Sequence, residues 1–300
     1  MIAMDRLVFQ PGVALVAATL PIVSGLEQAI SLSGIEEVAE TEGTPLNKLM
    51  GRVLERDDPL DGDRVTGAGD DIAEFGGRQC YRSWAKGREQ DEYIANVINE
   101  CHGSIFRHAN LVFQIVGVSR SLTHELVRHG IGTAPSQESQ RYVDAKDIRF
   151  VVPPITANHV AGMTQEEMDA DPELAHFRRS CQRQLDDYIE YQRLIKERLG
   201  AMKAAGDYKG ATSYQKRANE AARALLGNAA ETRLVFSMNL QSSRHILSLR
   251  GSEFADLEIR RLVTDVLEHS RAYAPAFYKE VVEEIGADGL AIIEAKNGKL

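Results

Sequence analysis

The sequence predicts an α+β protein of a single domain, with helices surrounding a mostly antiparallel sheet. Three observations carry this. Apolar runs at 12–20 and 110–116 have the length of strands and their β-branched content. Several longer stretches repeat apolar residues at the spacing of an amphipathic helix. No internal repeat and no linker divides the 300 residues, a length that suits one large domain or two small ones.

Taken in order, residues 12–20 alternate towards a buried strand, and a helix starts over 25–32. Residues 40–69 are rich in Asp, Glu, Gly and Thr around a short helical piece at 46–54. Asp57-Asp58-Pro59 and Asp61-Gly62-Asp63 are turn chemistry, which predicts an exposed acidic insertion. Its carboxylates hint at calcium, but the register of a calcium loop and its terminal Glu are missing, so no metal is expected. Residues 72–84 and 93–99 read as helices. Leu111, Val112, Phe113, Ile115 and Val116 make a strand ending at Gly117.

From 117 to 127, apolar residues at 118, 122, 126 and 127 return to helical spacing and carry Arg128 and His129 out at the helix's end. Tyr142-Val143 and Phe150-Val151-Val152-Pro153-Pro154 look like strand pieces. Residues 164–199 predict one long amphipathic helix, entered by a capping pair, Thr164 and Glu167. On it, Tyr188, Tyr191, Leu194 and Ile195 form a stripe suited to core or subunit packing. Residues 214–226 continue helical and 231–237 are extended. Further helices are expected at 240–249, 255–267 and 273–285.

Composition narrows the function. The hydrophobic fraction, 43%, supports a sizeable core. A net charge of −9 argues against a nucleic-acid-binding surface, but locally clustered arginines leave room for a small anion. No apolar run has membrane-spanning length and Met1-Ile2-Ala3-Met4-Asp5-Arg6 lacks a signal-peptide pattern, so a soluble cytoplasmic protein is expected. Cys80, Cys101 and Cys181 have no metal-type spacing and cannot all pair, so reduced structural thiols are expected. The adjacency of Cys101 and His102 keeps a Cys-His nucleophile open as a minor alternative.

The most informative stretch is Arg128-His129-Gly130-Ile131-Gly132-Thr133-Ala134-Pro135-Ser136-Gln137-Glu138-Ser139-Gln140-Arg141-Tyr142. Arginine forks bind phosphate and carboxylate bidentately. Glycines allow close backbone approach, and amides with serine hydroxyls complete an anion cradle. The plainer reading is a solvated loop whose arginines pair with acidic neighbours.

This stretch resembles the hallmark of the flavin-dependent thymidylate synthases, Arg-His-Arg followed across a short loop by Ser and then Arg-Tyr. Arg128-His129, Ser139 and Arg141-Tyr142 match it, while Gly130 replaces the second arginine and the loop is slightly longer. Other blocks resemble the family in the same order: residues 14–21, Gly77-Arg78-Gln79-Cys80-Tyr81, His102 through His108, Ala222 through Leu226, and Asn239 through Arg250. The likeness spans roughly residues 10–275.

The resemblance implies C5-methylation of a uridine monophosphate, with methylenetetrahydrofolate as carbon donor, NADPH as reductant and FAD as cofactor. It implies substrate contacts from Glu125, Arg128, Gln137, Ser139, Arg141, Arg223 and Arg250. Arg141 and Arg223 would hold the phosphate with Ser139, and Arg250 would stabilise charge building on the pyrimidine. Ser139 and Arg250 are the residues assigned to catalysis. FAD contacts are implied for His102, Ser104, Arg128, His129, Asn239, Gln241 and His245, with Gln241 where the family often has arginine. For Asn239 the plainer role is a helix cap, and for His245 a partly buried structural histidine. A homotetramer with active sites between subunits is implied.

Deoxyuridylate is the family's default substrate. Glu125, where Gln is common, and Gly130 alter the pocket wall in a way that would fit a specialised member accepting UMP, such as the uridylate C5-methylase of a nucleoside-antibiotic pathway. Two rival classes remain open: a non-catalytic flavin- or nucleotide-binding homologue, and a cofactor-free scaffold whose arginines only bridge subunits.

Overall fold

The structure, a computed structural model, describes residues 1–56, 64–207 and 213–295. Its helices and sheets make the α+β architecture expected. Strands Gly12–Ala18, Asn110–Ser119, Glu231–Asn239 and Thr133–Gln137 hydrogen-bond in that order. The chain forms two compact units: Met1–Gly12, Ile115–Arg128 and Ser136–Leu234 in the first, and Val13–Gln114, His129–Pro135 and Val235–Leu300 in the second.

In the first unit Leu7–Val8 pairs in parallel with Phe150–Val151. Ile2, Leu7, Phe150, Val152, Leu174, Cys181 and Leu185 form its main apolar cluster. The single helix expected over 164–199 is two. Gln165–Ala170 carries the Thr164/Glu167 capping box, and Pro172–Ala204 starts afresh after Asp171. The cause is Pro172, which holds Asp171 extended at φ −64° and ψ 123° and itself suits the first helical position. The Asp171 carboxylate then caps the Leu174 N–H at 2.8 Å. The predicted tyrosine stripe divides: Tyr188 is buried and its hydroxyl accepts the Ala145 N–H at 3.1 Å, while Tyr191 and Leu194 are exposed.

The strand Asn110–Ser119 runs further than expected, and Ser119 caps the helix Arg120–Leu126 by accepting the Leu122 N–H at 3.0 Å. Tyr142-Val143 is not a strand. Both amides donate to the Ser139 carbonyl at 3.0 Å, which closes a turn.

The second unit holds the helices Val23–Ser33, Pro45–Arg56, Ala68–Tyr81 and Gln90–Asn99, then Leu240–Arg250 and Leu257–Tyr273. Two expectations fail here. The segment read as an exposed insertion contains Pro45–Arg56, whose Leu46, Leu49 and Val53 are buried with Ile30 and Trp84. Its Arg52 joins the buried carboxylates of Asp71 (2.8 Å) and Glu74 (2.6 Å). The acidic turns predicted around Asp57 and Asp61 lie outside the described residues. The helix expected over 273–285 is instead a short turn, Pro275–Tyr278, followed by an antiparallel hairpin of Val281–Ile285 with Ala291–Ala295. Ala274 precedes a proline and leaves the helical region at φ −142°. Buried Asp70 then accepts the N–H groups of Ala276 (2.7 Å) and Phe277 (3.1 Å).

The strand Gly12–Ala18 is not buried as expected, because it lies at an edge of its sheet and none of its residues is shielded on both faces.

Candidate functional site

Sequence-predicted site residues divide between the two units, and each group has its own geometry. In the first unit Glu220 organises the cations. Arg141 reaches its carboxylate through Nε at 3.1 Å, and Arg217 approaches at 3.2 Å. Desolvation pushes the Glu220 carboxyl up, but the charges of Arg141, Arg217 and Arg223 outweigh it and hold the group below its ordinary value. Ser139 Oγ accepts the Arg141 N–H at 3.4 Å. Gln137 donates through Nε2 to Thr123 at 3.0 Å and to Thr232 at 3.2 Å, which fixes its amide.

Arg223 sits in the turn after helix Tyr214–Ala222, and Arg120 opens the helix Arg120–Leu126. Burial lowers the pKa of half-buried Arg120, and the charge of Arg223 lowers it further. Among the described residues, neither guanidinium has a hydrogen-bonded carboxylate. Two cations in each other's field repel, and a doubly charged oxyanion relieves that repulsion. Glu125 is half-buried and Arg128 exposed, with the Arg128 N–H donating to the Glu125 carbonyl at 3.3 Å.

In the second unit the loop after Arg128 lies along the helix Leu240–Arg250. Asn239 N–H donates to the Gly132 carbonyl at 3.0 Å, and Ser242 Oγ to that of Ile131 at 2.7 Å. Thr133 donates to the His129 carbonyl. Gly132 has φ +69°, and a Cβ there would sit 2.3 Å from both Asn239 Nδ2 and Ser242 Oγ. Its glycine serves this approach between protein segments. Gly130 meets nothing within 4 Å.

At the far end of the same helix, Arg250 donates from Nε to His129 Nε2 at 2.9 Å. The ring of His245 stands edge-on to His129, centroids 6.0 Å apart. Burial pushes the His129 imidazole down to about 4, with help from Arg250 and then His245, so the ring is neutral at neutral pH. Asn239 takes up its plainer role, capping the Ser242 N–H at 2.8 Å. Gln241 Oε1 accepts from Arg107 Nε at 2.5 Å. His102 stacks on Tyr81 with centroids 6.5 Å apart, and Ser104 is exposed in the turn Gly103–Arg107.

Imidazoles, amides, a hydroxyl and arginines suit the carbonyl, ribityl and phosphate groups of a flavin dinucleotide. The sequence reading missed Arg107, Arg120, Arg217 and Glu220. Glu220 and Arg223 sit three apart across the helix end, a spacing that pairs side chains and was there to be read. Arg120 had only the strand-to-helix junction as its signal.

The cysteines divide. Cys181 lies in the apolar cluster of the first unit, where burial pushes its thiol up to about 12. Cys80 and Cys101 are exposed rather than structural, and all three are free. Among the described residues no group of His, Cys, Asp and Glu is arranged to hold a metal. No described helix is long and apolar enough to cross a membrane.

Comparison with known proteins adds sequence likeness to this geometry. Residues 64–276 match the family described as thymidylate synthase complementing protein. A Mycobacterium tuberculosis protein named flavin-dependent thymidylate synthase is 38% identical over 227 residues, covering 74% of this chain and 83% of its own length. Proteins of the same name from Mycobacterium avium and Mycobacterium marinum are 39% and 37% identical, each over 74% of this chain and 83% of the relative.

Proposed function

The chain belongs to the flavin-dependent thymidylate synthase family, a family of methyltransferases, and on that premise we propose that it methylates C5 of a uridine monophosphate. The substrate is dUMP by the relatives' name, with UMP the second candidate. Methylenetetrahydrofolate donates the carbon and NADPH the electrons. The observation that carries the nucleotide reading is the arginine set around Glu220, with Arg120 in the field of Arg223.

Arg120, Arg141 and Arg223 bind the phosphate dianion. The nucleotide phosphate competes with Glu220 for Arg141, and Ser139 adds its hydroxyl. Gln137, held by Thr123 and Thr232, orients the substrate, while Glu125 and Arg128 line its approach. Arg250 stabilises negative charge on the pyrimidine oxygens as the new bond forms. His102, Ser104, Arg128, His129, Asn239, Gln241 and His245 hold FAD. Bound FAD would supply the two-electron reduction that takes a methylene-level carbon to methyl. The protein contributes orientation, charge and exclusion of water. We place it in the cytoplasm as a homotetramer with its sites between subunits.

The test is an anaerobic mixture of purified protein, FAD, NADPH and methylenetetrahydrofolate with dUMP or UMP, read by product mass. A mass gain of one methyl group identifies the substrate. A protein that binds flavin and nucleotide but yields no methylated product with either overturns the proposal.

A further inference from the structure

We propose that His129 is a positioning residue for Arg250, its Nε2 accepting the Arg250 Nε–H so that the plane of the guanidinium is set by a neutral imidazole. The inference rests on the reading of Arg250 as the group that acts on the pyrimidine.

Arginine is a donor at every nitrogen and stays charged, so the contact at 2.9 Å requires Nε2 to be the acceptor. A neutral ring then carries its proton on Nδ1. The tautomer is thus dictated by the partner. Protonating the ring would point a donor at a donor and bring two cations together.

The imidazole is the fixed member of the pair. Carbonyls 129, 131 and 132 are each tied down, to Thr133, Ser242 and Asn239. His245, five residues before Arg250 on the same helix, stands at 73° against the ring and limits its rotation. Arg250 is the last residue of its helix, and its long side chain has more rotatable bonds to fix than the imidazole. A rigid acceptor at Nε therefore helps fix the guanidinium plane.

Nε is the nitrogen inside the side chain, so anchoring it defines the orientation of the whole planar fork. Lysine has no counterpart to it. One more consequence follows. With Nε2 occupied, Nδ1–H has no acceptor among the described residues, and His129 meets a bound ligand as a hydrogen-bond donor. It suits a carbonyl or phosphate oxygen and not another N–H donor.

Two measurements test this on the full chain. Nitrogen-15 spectra of ligand-free protein at neutral pH are expected to show His129 as the Nδ1–H tautomer, and Arg250→Lys is expected to turn it into a mixture. In turnover at saturating FAD, both His129→Gln and His129→Asn lose the ring's contact to the ligand, but only His129→Gln keeps an acceptor where Nε2 stood. His129→Asn is too short to reach and is expected to fall about tenfold or more below His129→Gln in kcat, the loss of one charged hydrogen bond, with nucleotide KM alike in the two. An Nε2–H tautomer in the wild type, or equal losses for Gln and Asn, overturns the positioning role alone. Unimpaired methylation by Arg250→Lys overturns the pyrimidine reading and the positioning role with it, whatever the tautomer proves to be.

Discussion

Arg141 is held at 3.1 Å by Glu220 before any ligand arrives, so its charge is partly screened in the free protein. With Arg141 on the phosphate as proposed, its contribution to nucleotide binding would be the difference between a phosphate and that carboxylate. Arg141→Ala is expected to raise the nucleotide dissociation constant about tenfold to a hundredfold, the worth of a charge-assisted hydrogen bond, with smaller change in flavin retention. Titration calorimetry with dUMP reads it directly, and unchanged affinity would mean that the phosphate lies elsewhere. Arg250→Lys keeps the charge but loses the Nε contact to His129. Turnover is expected to drop by about a hundredfold, as when one oxyanion donor is removed, while flavin reduction by NADPH without nucleotide stays near normal. Equal losses in both half-reactions, followed by rapid-mixing absorbance, would assign Arg250 to the flavin or the fold. At this scale the sequence was readable wherever a residue carried a motif. Arg120 and Glu220 carried none, and their importance comes from neighbours that only folding brings near.

Among the elements, the loop 129–133 and helix Leu240–Arg250 behave as one piece. Gly132→Ala combines a strained φ of +69° with a Cβ at 2.3 Å from two polar atoms, and is expected to destabilise the protein by about 1–3 kcal/mol. Gly130→Ala, which meets open space, is the control and should melt within a degree or so of wild type. Thermal unfolding of the two side by side checks the comparison, and equal shifts would discount the packing account. The helices with strong periodicity were legible to within a few residues. The errors fell where a local signal competed with the period. Pro172 split a helix that looked continuous, and Ala274-Pro275 ended one whose Val281-Val282-Glu283-Glu284-Ile285 still fits helical spacing. Short apolar runs cannot say whether a strand is central or an edge, which is why Gly12–Ala18 looked buried.

For the whole molecule, two desolvated groups, half-buried His129 and buried Asp70, set opposing pH trends in stability. His129 falls from 6.5 to about 4 on folding, so the stability it contributes is present above 6.5 and is lost as pH falls through about 4. Asp70 moves the other way, from 3.8 to about 7, because burial outweighs its two N–H donors, with Asp91 and Glu74 adding repulsion. Its contribution is full below 3.8 and is lost as pH rises through about 7. His129→Gln should therefore flatten the acidic decline, and Asp70→Asn the decline towards neutrality, in urea titrations repeated across that range. Parallel curves for wild type and both variants would refute the assignment. None of this could be read in advance, since a lone Asp or His in a sequence does not announce what will surround it. Family membership, by contrast, was legible, because several short blocks in a fixed order are far more specific than any one of them.

The uneven exposure of the three thiols makes the native chain its own reporter. Cys80 and Cys101 face solvent, whereas Cys181 is enclosed with its thiol held protonated. An alkylating fluorophore should couple to two sites per folded chain and to a third only after denaturation, at a rate that follows unfolding. Cys101 adjoins His102, so a dye there would stand beside a residue assigned to the flavin and should lose intensity as FAD binds. A count of three in the folded protein would mean that the enclosed thiol is within reach after all.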